Sequence, residues 1–197
     1  MSYTSDFTNN NELNQTLKEP DKLVNCLHGI SEKCELNDID VISVNTGPGS
    51  FTSIRVGISL AKGLSLAIEK SIIPITNFML TLNRVQKILS DKKYCVLITS
   101  KLPEYYYSIT ENNKELTNGA IQIDSLTSII DKESIVAGDF DNETELKHSY
   151  FDFINVKDLK SELDSMIELT ISKFKEGNVF SPKDIKPVYI KEFSVKK

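Results

Sequence analysis

The chain has few of the residues that disulfide frameworks, metal centres and nucleic-acid-binding surfaces need. Among its 197 residues are two arginines, two histidines, three cysteines and no tryptophan. The cysteines Cys26, Cys34 and Cys95 include no C-x-x-C spacing, so we expect reduced thiols rather than a disulfide framework. A net charge of −5 argues against a domain that holds nucleic acid by itself, because such domains need a basic surface.

Long apolar runs and a leader pattern are also missing from the sequence. No uninterrupted apolar run approaches the roughly 18 residues that cross a bilayer. Residues 1–6 form neither a basic nor an apolar leader segment. We therefore expect no membrane span, no secretory signal and a cytoplasmic location. Hydrophobic residues still make up 40% of the chain, which is enough for the core of one domain or of two small lobes.

The order of apolar segments predicts an α/β protein. A hairpin is expected around the turn Asn9–Asn11, followed by a helix over Asp21–Glu35. The predicted strands are Val41–Val44, Ile72–Ile75, Tyr94–Thr99, Tyr105–Thr110, Gly119–Ile123, Ser134–Ala137 and Phe153–Val156. The predicted helices are Phe51–Glu69, Phe78–Leu89, the short Leu126–Ile130, and Leu159–Phe174. Gly177 stands where the C-cap of the last helix is expected. Strands that alternate with helices favour parallel pairing in a mixed sheet.

The turn between the strand Val41–Val44 and the helix Phe51–Glu69 is the segment most informative about chemistry. Gly47, Gly49 and Ser50 would let an anion such as a phosphate approach a helix N-terminus, where unpaired amide groups favour negative charge. The turn has neither the lysine of a P-loop nor the third glycine of G-x-G-x-x-G. An ordinary tight turn, with Ser50 as the helix cap, therefore remains the alternative interpretation.

The helix that follows this turn carries small residues at unusual places. Gly57, Ala61 and Gly63 alternate with larger apolar residues such as Leu64, although each glycine costs about 0.8–1 kcal/mol relative to alanine in a helix. Close packing explains such residues, either on the chain's own sheet or on a partner subunit. Arg55 fits both a solvated face and an interface, where arginine is enriched.

The sequence offers no convincing catalytic or metal-binding constellation. His28 and His148 are far apart, and Cys26 and His28 would point to different faces of a helix. Ser50 lacks the G-x-S-x-G context of a nucleophile. The tyrosines at 105–107 are typical of a strand, and we expect the terminal lysines Lys191, Lys196 and Lys197 to form a solvated tail.

The glycine turn and the helix together resemble a known family signature. The matching strings are Gly47-Pro48-Gly49-Ser50-Phe51-Thr52, Ile54-Arg55-Val56-Gly57 and Ala61-Lys62-Gly63-Leu64. They are similar to the G-P-G-S-F-T-G-[LI]-R-[IV]-G and A-K-G-L motifs of the bacterial TsaB (YeaZ) family. Looser similarities lie at Glu104-Tyr105-Tyr106, Gly138-Asp139 and Pro187–Lys191. The chain departs from the pattern at Ser53, where the family has glycine, and at Thr99-Ser100-Lys101, where it has D-A-R.

This resemblance implies an actin-like (ASKHA) fold of two lobes, with mixed sheets and flanking helices. We expect lobes at residues 1–90 and 91–197, the second with the returning C-terminal helix and tail. The family's first strand, which bears D-T-S, is expected to be missing, because the sequence starts at the hairpin.

The resemblance also implies a non-catalytic accessory subunit in tRNA N6-threonylcarbamoyladenosine synthesis. Such a subunit binds the catalytic subunit TsaD, works with the ATPase TsaE, and reaches tRNA only through the complex. Two helices would supply the interface, with Leu27 from the first and Arg55, Gly57, Ala61, Gly63 and Leu64 from the second.

Two other functions stay open at the level of sequence. One is an ASKHA phosphotransferase that binds ATP at Gly47–Ser50, against which the missing phosphate-handling aspartates argue. The other is a structural homologue that self-associates through the same helices as a homodimer. We expect no metal and no cofactor, apart from weak or vestigial nucleotide binding at the glycine turn.

Overall fold

The computed structural model describes residues 2–3, 13–14, 35–86, 92–101, 103–112, 114–139, 152–159 and 161–191. The strands are β1 (Ser2–Tyr3), β2 (Leu13–Asn14), β3 (Ile42–Asn45), β4 (Ile72–Ile75), β5 (Lys93–Lys101), β6 (Glu104–Glu111), β7 (Lys114–Gln122), β8 (Ile135–Gly138) and β9 (Phe153–Asn155). The α-helices are α1 (Phe51–Ile68), α2 (Asn77–Gln86) and α3 (Glu162–Lys175). Short 3-10 helices lie at Leu36–Asp38, Ile123–Ser128, Val156–Asp158 and Pro182–Asp184.

Contacts divide the chain into two compact units. Unit 1 contains Met1–Thr46, Phe51–Ile75 and Leu163–Lys186, and unit 2 contains Gly47–Ser50, Thr76–Glu162 and Pro187–Lys197. These units differ from the consecutive ranges 1–90 and 91–197. The reason is that the chain returns to unit 1 with α3, while α2 packs on the sheet of unit 2.

The core of unit 1 lies between α1 and a parallel pair of strands. β3 and β4 pair in register from Ile42↔Ile72 to Asn45↔Ile75, as expected for strands joined by a crossover helix. Five buried side chains form the core: Val44, Ile58, Ala61, Ile72 and Ile185. Ile185 follows α3 in the chain, so the C-terminal segment completes this core.

The end of α3 is fixed by a Schellman cap and by a bridge to β4. Gly177 adopts a φ of 73°, its N–H donates to Phe174 O (3.0 Å), and Asn178 N–H donates to Lys173 O (2.8 Å). Phe180 then exchanges two backbone hydrogen bonds with Ile72, both 2.9 Å long. The predicted stop at Gly177 is confirmed, and residues 177–180 are held firmly against unit 1.

Unit 2 is built on a five-stranded mixed sheet with the order β7-β6-β5-β8-β9. β5, β6 and β7 are antiparallel neighbours, whereas β8 and β9 run parallel to β5. One face buries Cys95, Leu97 and Val136 beneath the 3-10 helix Ile123–Ser128, and another cluster places Val85 of α2 against Tyr94. Both faces of β5 are therefore covered, which explains the continuous apolar run from Tyr94 to Ile98.

The predicted elements are largely confirmed, with three differences of extent. β7 begins at Lys114 instead of Gly119, because the tight turn at Asn112 (φ 49°) lets polar residues pair with β6. α3 begins at Glu162, after the 3-10 helix Val156–Asp158. The short helix predicted at Leu126–Ile130 is a 3-10 helix that begins at Ile123.

The structure describes only part of the N-terminal region for which the sequence predicts a hairpin and a helix. β1 and β2 pair antiparallel, with Ser2 opposite Asn14 and Tyr3 opposite Leu13, as a hairpin requires. The turn Asn9–Asn11 and residues 21–34 of the predicted helix Asp21–Glu35, including Leu27, lie outside the described residues, and Glu35 itself has an extended backbone.

An ion pair on unit 2 gives a prediction about acid stability. Lys93 Nζ lies 2.6 Å from Asp131 Oδ2, and Ser134 Oγ donates to Asp131 Oδ1 at 2.7 Å. These two hydrogen bonds lower the pKa of Asp131 from 3.8 to about 2. The carboxylate therefore contributes stability that is present above pH 3.8 and is lost as the pH falls toward 2.

Replacing Lys93 with methionine should raise the Asp131 pKa toward 3.8, as followed by NMR titration of its carboxyl carbon. Lys101→Met, an exposed lysine outside this network, is the control and should leave that pKa unchanged. A wild-type Asp131 pKa near 3.8 would show that the ion pair does not form in solution.

Candidate functional site

The glycine turn between β3 and α1 has a backbone that requires glycine. Gly47 has a φ of 98° and Gly49 a φ of 156°, and the peptide bond between Gly47 and Pro48 is cis. Gly47 and Pro48 are buried, Gly49 is half-buried and Ser50 is exposed. The predicted loop residues are therefore together, but the loop is more enclosed than an open phosphate cradle.

Asn77, at the start of α2, holds the first half of this turn. Its backbone N–H donates to Gly47 O at 2.9 Å, and its side-chain Nδ2 donates to Pro48 O at 2.6 Å. Both carbonyls thus accept hydrogen bonds from one residue 29 or 30 positions away in the chain. Asn77 is not recognisable from the sequence as part of this turn; the available signal is Thr76, whose Oγ1 caps α2 by accepting from Met79 N–H at 3.1 Å.

Asn77→Ala should lower the free energy of unfolding by about 1–3 kcal/mol, because the buried Pro48 carbonyl loses its side-chain donor. Urea unfolding followed by circular dichroism measures this change. Asn118→Ala removes an exposed amide that bonds Glu115, so it should change stability by no more than about 0.5 kcal/mol. Equal effects of the two variants would contradict a specific anchoring role for Asn77.

The helix α1 has two faces, and the predicted interface residues are divided between them. Gly57 and Ala61 are buried on the side that packs on β3 and β4. Arg55 and Gly63 are exposed, and Leu64 is half-buried. A Cβ atom added at Gly63 would meet nothing within 4 Å. Gly57 and Ala61 thus explain the packing of unit 1, whereas Gly63 has no packing role within the described chain.

The outer face of α1 is largely uncharged and made mostly of small residues. Thr52, Ser59, Gly63 and Ala67 are exposed, and Leu66 is 69% exposed. Near the start of α1, the Arg55 guanidinium lies 3.7 Å from the centroid of the Phe51 ring. Exposed apolar surface on a helix, with an arginine and an aromatic residue at its edge, is typical of protein interfaces.

The same helix meets the length and hydropathy that a membrane span needs. Its 18 residues have a mean hydropathy of 1.3, and 22% of them are buried. Core helices of soluble proteins pass the same test, so this property alone is weak support for a membrane. The sequence analysis did not single it out, because Arg55 and Lys62 interrupt the apolar run.

In the described ranges no group of three or more His, Cys, Asp or Glu side chains could hold a metal ion. His28, His148, Cys26 and Cys34 lie outside those ranges. Cys95 is fully buried, and desolvation raises the pKa of its thiol to about 12. A thiol with that pKa is protonated at neutral pH and is a poor nucleophile or ligand.

The loosely matching segments of unit 2 make charged contacts. Lys191 forms an ion pair with Glu104, so the expectation of a wholly solvated tail is corrected at Lys191. Asp139 Oδ1 lies 3.1 Å from Lys157 Nζ. Arg84 donates to Val156 O. Burial lowers the pKa of the Arg84 guanidinium, and the negative charges of Glu162 and Asp139, which raise this pKa, offset only part of the effect. These contacts fasten the tail and the ends of β8 and β9.

The sequence that forms the glycine turn, α1 and most of the sheet of unit 2 also matches a model of a known protein family. Residues 22–137 match the family described as "TsaD: tRNA N6-adenosine threonylcarbamoyltransferase". This match covers more than half of the chain, which therefore belongs to that family.

Curated relatives place the chain with the TsaB members of this family. The TsaB protein of Haemophilus influenzae is 32% identical over 73 residues (37% of this chain, 31% of that protein). That of Buchnera aphidicola from Acyrthosiphon pisum is 27% identical over 144 residues (64% of each chain). A tRNA N6-adenosine threonylcarbamoyltransferase of Thermosipho melanesiensis is 53% identical over 47 residues (24% of this chain, 14% of that protein). The matches span less than two thirds of the length of each relative.

Solved structures confirm the fold. YeaZ from Pseudomonas aeruginosa superposes with a TM-score of 0.67 and 15% identity, covering 86% of this chain and 83% of that one. A second structure from that organism, described as similar to peptidase YEAZ, superposes with a TM-score of 0.68 and 14% identity, covering 87% of this chain and 83% of that one. The predicted actin-like α/β fold with flanking helices is thus confirmed.

Proposed function

We propose that this chain is an accessory subunit in tRNA N6-threonylcarbamoyladenosine synthesis and that it dimerises with the catalytic subunit TsaD through α1. The outer face of α1 carries the proposal. Its inner face holds unit 1 together, while Gly63 has open space around it and Leu66 is 69% exposed. A partner helix could approach this backbone closely, because side chains are small where contact would be made.

The names of the relatives support the pathway. The relatives from Haemophilus and Buchnera are named tRNA threonylcarbamoyladenosine biosynthesis protein TsaB. The match with the Thermosipho transferase covers 14% of that protein, against 64% of the Buchnera TsaB protein. This difference in coverage favours the TsaB role over that of the transferase itself.

We assign the glycine turn a structural role in this complex instead of a catalytic one. Two of its carbonyl oxygens accept hydrogen bonds from Asn77, and carbonyl oxygens repel phosphate. Ser50 is exposed at the start of α1, as a helix cap can be. The transferred group, its adenylate and the ATPase TsaE would then be handled by the partner subunits.

Co-elution tests the proposal. The full chain and the TsaD subunit of the same organism are mixed and passed over a size-exclusion column with light scattering. A peak with the mass of a 1:1 heterodimer is expected. Two separate peaks would contradict the proposal, and so would a homodimer of this chain that excludes TsaD.

A further inference from the structure

We infer that Arg55 and Lys62 form a positively charged edge of α1 that selects a partner surface carrying carboxylates, an inference that rests on the proposed pairing of α1 with TsaD. The two residues are seven positions apart in one continuous helix. Seven residues make nearly two turns of an α-helix, so the two side chains leave it in directions that differ by only about 20°. They lie on the same side of α1, roughly 10 Å apart along its axis.

This positive edge borders the outer face of α1. Ser59 and Leu66 continue the row of Arg55 and Lys62, because the four residues follow one another at spacings of three and four. Lys62 is half-buried, and the other three are exposed. Gly63, where we expect the closest approach of the partner, is next to this row. A partner seated over Gly63 would therefore meet both cations at the edge of the contact.

An aromatic ring positions the guanidinium of Arg55. Phe51 lies one helical turn earlier, and the centroid of its ring is 3.7 Å from Arg55 Cζ. A guanidinium that is already stacked on a ring loses less side-chain freedom on binding than one that rotates freely. Its planar fork can then donate two parallel hydrogen bonds to one carboxylate. Phe51 is thus a positioning residue for Arg55.

The helix offers no carboxylate of its own to these cations. Neither aspartate nor glutamate occurs among the 18 residues of α1. Glu69 comes directly after the helix, but its φ of 55° is not helical, and Lys70 follows it. Among the described residues, no carboxylate forms an ion pair with Lys62. An entire helix of an acidic chain therefore carries positive charge only.

These charges favour another protein over a second copy of this chain or a nucleic acid. Two copies of α1 packed against each other would bring four cations together, with no acid in either helix. A nucleic acid is held through many phosphate contacts, whereas α1 has two cations beside small uncharged side chains. In paired helices, charges at the edge of the contact decide which partner is accepted.

The kinetics of association with TsaD test the inference. The full chain binds immobilised TsaD of the same organism in surface plasmon resonance, at ionic strengths of about 0.02 M and about 0.2 M. Attraction between opposite charges speeds association and is screened by salt. Arg55→Glu/Lys62→Glu should lower the association rate constant about 10- to 100-fold at the lower ionic strength and abolish its decrease with salt. The neutral Arg55→Gln/Lys62→Gln should give an intermediate rate constant.

Two controls make the test specific. Lys101→Glu/Lys175→Glu makes the same change of net charge on exposed residues outside α1, so its rate constant should stay within about 3-fold of the wild type at the higher ionic strength. Phe51→Leu should raise the dissociation constant about 2- to 5-fold. This effect should vanish in an Arg55→Ala background, where the ring has no guanidinium to position.

Three results would overturn the inference. The first is TsaD binding with equal rate constants for the wild type and Arg55→Glu/Lys62→Glu, which would leave the proposed function intact. The second is equal slowing by Lys101→Glu/Lys175→Glu. The third is a dimer of this chain, detected by light scattering, that the charge reversal disrupts while TsaD binding is unchanged. No binding between TsaD and the wild-type chain would instead overturn the proposed function together with this inference.

Discussion

Replacing Gly63 with leucine should disrupt the proposed complex with the catalytic subunit TsaD while leaving this chain folded. No atom lies within 4 Å of the position of the new Cβ, so the side chain points into open space in the isolated chain. In a closely packed interface the same side chain would overfill the available space, which should weaken the free energy of binding by about 1–3 kcal/mol. The dissociation constant, measured by titration calorimetry, should rise about 5- to 150-fold.

Two other variants make this test specific. Gly63→Ala should raise the free energy of unfolding by about 0.8–1 kcal/mol through helix propensity, with a smaller loss of affinity. Gly57→Leu places a side chain in the buried face of α1 and should unfold unit 1, so loss of binding there carries no information about the interface. If Gly63→Leu binds TsaD with the affinity of the wild type, Gly63 does not lie in the interface.

Ile72→Ala should be among the most destabilising single substitutions in unit 1. Ile72 is 0% exposed and packs with Val44, Ile58, Ala61 and Ile185, which join β3, α1 and the C-terminal segment. Truncation leaves a cavity where three parts of the chain meet, so a cost of about 2–5 kcal/mol is expected. The midpoint of urea unfolding should fall while the m-value stays the same.

The matched control for this substitution is Leu66→Ala. Leu66 is 69% exposed on the outer face of α1, so the isolated chain should lose no more than about 0.5 kcal/mol. In the complex, however, Leu66→Ala should weaken binding to TsaD. If Ile72→Ala were as mild as Leu66→Ala in the isolated chain, the core of unit 1 described here would be wrong.

Strands buried on both faces were predicted well from the sequence, and polar edge strands were not. Ile72–Ile75 is predicted with the observed limits, because a run of four residues that is rich in isoleucine and bounded by polar residues favours a strand over a helix. The first half of β7, from Lys114 to Asn118, is polar and exposed. It is a strand because it pairs with β6, and such tertiary pairing cannot be deduced from local propensity.

The sequence could place the candidate interface on α1, but it could not show which face of that helix is available to a partner. Apolar residues occur all around this helix, so spacing alone does not tell Gly57 from Gly63. The structure makes the distinction through β3 and β4, which bury Gly57 and Ala61 and leave Gly63 outside. The Asn77 contact with the glycine turn was equally hidden, since it joins residues about 30 positions apart.

The C-terminal segment and the helix α1 belong to unit 1 and depend on one another through packing. The turn Pro182–Asp184, which carries Lys183, packs against α1. Ile185 lies in the same core as Ile58 of α1. A substitution in that core should therefore weaken TsaD binding through loss of stability, whereas Leu66→Ala on the outer face of α1 should weaken binding with little change in stability.

Reconstituted modification of tRNA is the decisive experiment for the role of this chain as an accessory subunit. Threonylcarbamoyl transfer to a tRNA transcript is measured with TsaD and TsaE, with and without this chain, given the threonylcarbamoyl adenylate. The account predicts no modified adenosine with this chain alone, little with its partners alone, and robust formation when all are present, with loss of that gain in Gly63→Leu. Equal activity without this chain, or modification by this chain alone, would contradict the role of an accessory subunit.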